Sequence, residues 1–149
     1  MKKAFGITGI ILSLAATGLL LRTRTVHAQS GCTVAALSGS YGFNLQGNYY
    51  FVSQTGQVGR GYLSGSGRLI FDGNGSISGS DTLGDDGTIL RGSLSGMYTV
   101  NSDCTGSLSF TDSNKYGFTF DTVVVNGGKE VNLVGTTNGD VFTGVAKLQ

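Results

Sequence analysis

The sequence has no proline and no tryptophan, and its single histidine, His27, lies in an N-terminal stretch that reads as a removable leader. Without histidine there is no Ser-His or Cys-His nucleophile, no imidazole acid/base chemistry and no histidine-ligated metal. Basic residues are also scarce. Lys2, Lys3, Arg22 and Arg24 belong to the leader, so the rest of the chain sets six Lys or Arg against nine Asp or Glu, a net charge of −3. That balance offers no basic face for phosphates, which argues against a nucleic-acid partner. The sustained 3.6-residue apolar period of an amphipathic helix is missing as well.

The leader has a positive start at Met1-Lys2-Lys3 and an uncharged run over 4–21, and Val26-His27-Ala28 offers the small residues that precede cleavage. Cleavage after Ala28 is expected, leaving 29–149 as a single domain and limiting membrane contact to an uncleaved leader. Export gives meaning to the cysteines. Only Cys32 and Cys104 occur, and two thiols in an oxidising compartment normally pair. A disulfide between them is predicted, with a structural role, since no Cys-x-x-Cys spacing or neighbouring cation is there to activate a thiol.

Glycine, serine, threonine and β-branched or aromatic residues dominate what remains, and the apolar period is two. Alternation predicts eight strands, at 38–46, 61–71, 76–83, 89–101, 105–112, 118–126, 129–137 and 141–148. The connections Asp72-Gly73-Asn74-Gly75, Gly84-Asp85-Asp86-Gly87, Asn126-Gly127-Gly128 and Asn138-Gly139 are hairpin sequences that accept positive φ. Short connections make neighbours antiparallel, so the expected fold is all-β: an up-and-down eight-stranded β-barrel, with a β-sandwich as the alternative. Glycines recur on the apolar row at Gly39, Gly65, Gly67, Gly79, Gly92, Gly96, Gly106 and Gly144. They favour the barrel, either by letting strands bend or by leaving interior space.

Few residues stand out as a site. Asp72-Gly73-Asn74-Gly75-Ser76 resembles the start of a calcium loop but fails at Ile77 and Leu83, where glycine and glutamate are required. No metal or cofactor is expected. The connection 47–59 carries Tyr49, Tyr50 and Phe51, which read either as an aromatic mouth for a small apolar or glycan ligand or as a continuation of the first strand. Asp81 shares the inward row with Ile77 and Leu83, so it needs a partner such as Arg68 or Arg91, or a bulge that turns it outward. Val123 and Val125 point outward from an apolar strand and could be covered by a second subunit.

Met97-Tyr98-Thr99-Val100-Asn101-Ser102-Asp103-Cys104-Thr105-Gly106, with 125–131 and the ending Gly144-Val145-Ala146-Lys147, resembles a group of uncharacterised secreted bacterial proteins. They share a Tyr-Thr-Val-Asn-x-Asp-Cys-Thr-Gly block. That resemblance implies an exported protein and brings no activity with it. In architecture the meander also looks like the calycin and allene oxide cyclase type of barrel, though the tryptophan of the lipocalin first strand is missing. Three functional readings stand at this point: a secreted, non-catalytic binding module for a small ligand, a surface or structural protein that assembles through Val123 and Val125, and a barrel cyclase or isomerase using Asp81 and a tyrosine.

Overall fold

A computed structural model describes residues 31–149; the leader and its cleavage site lie outside them. Eight antiparallel strands follow one another around a closed barrel: β1 Ser38–Val52, β2 Val58–Asp72, β3 Ser76–Asp85, β4 Thr88–Val100, β5 Thr105–Asp112, β6 Gly117–Val125, β7 Glu130–Gly135 and β8 Val141–Leu148. The ring closes where β1 pairs with β8, from Tyr41 opposite Leu148 to Asn48 opposite Val141. Closure leaves no sheet edge open, a real risk for so β-prone a chain.

The two-residue period settles which face is core. Inward residues such as Phe43, Leu45, Leu69, Leu83, Leu108, Phe120 and Leu133 are buried, while the outward row of β5, Thr105, Ser107, Ser109 and Thr111, is exposed. Apolar inside and polar outside is the reverse of a lipid-facing barrel. The inward glycines sit opposite large side chains on a neighbouring strand: Gly67 faces Phe43, Gly96 faces Phe110 and Gly47 faces Phe142. A Cβ on any of these three would collide with nearby backbone and with the facing phenylalanine, at its ring for Gly67 and Gly47 and at its Cβ for Gly96. The space that glycine vacates is therefore taken by an aromatic ring, and the middle of the barrel is a packed core.

Of the two readings of 47–59, continuation of the first strand is the one the pairing shows. β1 runs on to Val52 and β2 begins at Val58, so most of 47–59 is a paired hairpin arm and the loop is short. Tyr49 lies over Gly61 and Phe51 over Gly59. Aromatic rings covering cross-strand glycines supply the packing those glycines lack.

One end of the barrel is closed by the segment before β1. Cys32 and Cys104 form the expected disulfide, Cys32 N–H donates to Ser102 O, and a 3₁₀ turn at Val34–Ala36 carries Leu37 into the core. Tyr98 donates its hydroxyl to Val34 O at 3.2 Å and to Leu37 O at 2.9 Å; Tyr41 donates to Gly128 O. Edge-on contacts of 4.9 Å join Phe71 to Tyr41 and to Tyr98. Burial pushes both phenols above their ordinary range. A disulfide of this kind belongs to an oxidising compartment.

Candidate functional site

The other end is open. A cavity of about 200 Å³ lies there, lined by Tyr49, Leu63, Asp85, Tyr116, Gly117, Phe118, Asp140 and Phe142. Its floor is apolar, because Leu63, Phe118 and Phe142 are buried members of the core, and Phe118 and Phe142 meet edge to face at 6.0 Å. Its rim is polar: Tyr49 comes from β1, Asp85 ends β3, Tyr116 immediately precedes β6 and Asp140 immediately precedes β8.

Asp85 organises that rim. Tyr49 donates to its Oδ1 at 2.6 Å and Tyr116 to its Oδ2 at 2.7 Å, so β1 and the β5–β6 turn are held to the end of β3 by one carboxylate. Charge-assisted hydrogen bonds of this length are the strong kind. Because the bond to Asp85 favours the neutral phenol, both tyrosines ionise later than usual. Asp86, at φ 44° in the two-residue β3–β4 turn, accepts from Tyr62 N–H at 2.9 Å and ties that turn to β2. Asp140 differs. Its side chain is half-buried, partial burial raises its pKa, and no hydrogen bond or ion pair reaches its carboxylate among the described residues. The single salt bridge described, Lys147 to Glu130 at 3.5 Å, lies elsewhere. No Lys or Arg lines the cavity.

Of the aromatic trio, Tyr49 lines the cavity. Tyr50 and Phe51 do not: they stand on the hairpin arm, 49% and 47% exposed, with Tyr50 opposite Arg60. Asp81 points inward as expected, 5% exposed, but the partner expected for it is absent. Arg68 lies opposite Ser80 and Arg91 opposite Thr82, both on the outward row, and no bulge intervenes. Both Asp81 oxygens are buried without a hydrogen bond. Desolvation, and after it the charge of Asp112, pushes the Asp81 carboxyl up. Asp112 itself accepts from Tyr116 N–H at 2.8 Å and Asn114 Nδ2 at 3.0 Å. Asp81 lies two inward positions below Asp85 and does not line the cavity.

Sequence reasoning did not single out Asp85, Tyr116 or Asp140. A signal was present. Ile77, Gly79, Asp81, Leu83 and Asp85 share one parity, as do Tyr116, Phe118 and Phe120, and as do Asp140 and Phe142. Following the inward row to the strand ends reaches all three.

No protein-family model matches the chain, and no curated protein does. Among solved structures, it is similar to a de novo designed fluorescence-activating β-barrel, with a TM-score of 0.53 and 13% identity over 78% of this chain and 96% of the designed one. At that identity the likeness shows the fold alone: a small closed β-barrel.

Proposed function

We propose that the protein is an exported, non-catalytic binding module that holds one small organic molecule in the open end of the barrel. The observation that carries this reading is the asymmetry of the two ends: one is sealed by a disulfide and buried tyrosines, while the other presents about 200 Å³ of space between an apolar floor and a hydrogen-bonded rim. Barrel mouths are a preferred place for small-molecule sites. The fluorescence-activating function named for the similar designed barrel is compatible with a small-molecule role for this architecture. Export to the periplasm or the medium fits the disulfide and the resemblance to secreted bacterial proteins.

Native mass spectrometry of the protein taken from its own producer, before and after denaturing extraction, tests the proposal. Extra mass that leaves on extraction is expected. The Asp140→Trp variant, which puts a bulky side chain on the lining of the opening, should lose that mass. A bare protein, or a variant that retains the mass, overturns the mouth as the site.

A second reading, assembly between copies, draws on Val123, 46% exposed on β6 beside half-buried Val125, and on exposed Val134 of β7. The same spectrum reads subunit number.

A further inference from the structure

We propose that the molecule taken by the mouth is a small organic cation: an ammonium group held between Asp85 and Asp140, carried on an apolar body that rests on Phe118 and Phe142. This rests on the mouth being the binding site and names the chemistry it selects.

Charge comes first. Asp85 and Asp140 line the cavity, Asp86 adjoins it, and no cation among the described residues pairs with any of them. Arg60 and Lys115, the nearest basic residues in sequence to the rim, are exposed and outside the lining. An anionic ligand would meet uncompensated like charge, which is a strong basis for rejection.

Tyr49 and Tyr116 refine the choice. They occupy one lone pair on each Asp85 oxygen, yet each carboxylate oxygen keeps further acceptor capacity for an N–H donor. Asp140 is half-buried with nothing bound to it, so its carboxylate bears a desolvation cost that an ammonium would offset. An all-hydroxyl ligand such as a sugar would satisfy hydrogen bonds without neutralising either charge.

The walls suit the same ligand. The rings of Tyr49, Tyr116, Phe118 and Phe142 surround the space, and aromatic faces attract ammonium groups, more strongly where water is excluded. The space is smaller than the roughly 300–1,000 Å³ usual for drug-sized ligands, which limits the body to about one ring or a short alkyl chain.

Three probes of one shape separate the possibilities by titration calorimetry on the intact mature protein: benzylammonium, benzyl alcohol and benzoate. Benzylammonium should bind at least tenfold more tightly than the alcohol, and benzoate should not bind. Raising the salt should weaken only the ammonium, because its interaction with the half-exposed rim is screened. Asp140→Asn should erase most of the preference for benzylammonium over benzyl alcohol. A fold check by circular dichroism accompanies it, and the salt series on the unaltered protein carries the test if that variant does not fold. Equal affinity for ammonium and alcohol would overturn the cation assignment and leave the mouth as a binding site. Failure of all three probes would overturn both.

Discussion

Tyr98 donates its hydroxyl to the carbonyl of Leu37, a residue 61 positions earlier in the chain, across 2.9 Å of the buried base. That bond pins the N-terminal segment beneath the barrel, and the Cys32–Cys104 bridge, with a sequence separation of 72, pins it a second time.

Opening the bridge should therefore destabilise the protein without dismantling the sheet. The chain-entropy model assigns a loop of this length about 4 kcal/mol. Cys32→Ser with Cys104→Ser is expected to cost about 2–4 kcal/mol in denaturant unfolding, with an unchanged far-ultraviolet dichroism spectrum before the transition. Tyr98→Phe, which removes the hydroxyl and leaves buried carbonyls with one partner fewer, should cost about 1–3 kcal/mol.

Asp81 sets a pH dependence. Desolvation and Asp112 raise its pKa from 3.8 in the fold, so the folded state holds this proton more tightly than the unfolded chain does. Its contribution to stability is thus fully present below the unfolded value and is lost as pH rises through the folded one. Asp81→Asn should remove that loss and stabilise the protein at pH 7 by about 1–3 kcal/mol, with the gain vanishing in acid. Unfolding of both proteins across pH measures the difference. Subtracting the curves isolates Asp81 from Asp72 and Asp103, whose turn hydrogen bonds lower their pKa values and act with the opposite sign.

The rim makes a spectroscopic prediction. Tyr49 and Tyr116 both ionise late because each donates to Asp85. Asp85→Asn should return both phenols toward their ordinary range, which absorbance titration of phenolate would detect as two tyrosines shifting to lower pH. Retention of the late ionisation would mean that Asp85 is not what holds them.

Glycine positions predict opposite tolerances. A Cβ at Gly96 would strike the Ser109 carbonyl and Phe110, whereas one at Gly117 would meet nothing closer than Thr111 Oγ1 at 3.9 Å. Gly96→Ala should cost about 1–3 kcal/mol as overpacking, and Gly117→Ala should be close to neutral in thermal melts.

Much of this architecture was legible because a half-buried strand writes its two faces as alternate residues. Phe118, Phe120 and Val124 against Val123 and Val125 announce β6 directly, and the Asp72 turn is as readable, its Oδ1 accepting from Asn74 and Ser76 N–H. The signal failed where glycine replaced apolar side chains. Gly47 and Gly59 interrupt the alternation, so 47–59 read equally as loop or as more of the first strand, and the cross-strand pairing of Tyr49, Phe51 and Phe142 decides for strand. The rim was hidden for another reason. Asp85, Tyr116 and Asp140 are far apart in sequence, and only closing β8 onto β1 puts their strand ends around one opening. The missing partner of Asp81 could not be read either, since the side chains facing it depend on register.

The sealed base has a practical consequence for anyone handling the protein. Gly31 lies beside Ser102, and Gln149 N–H donates to Ser40 O near the start of β1, so both ends of the described chain leave the barrel on the side away from the opening. A tag, a resin or a fused domain joined there would act as a handle on the foot of a cup, orienting every copy with its bowl toward the solution.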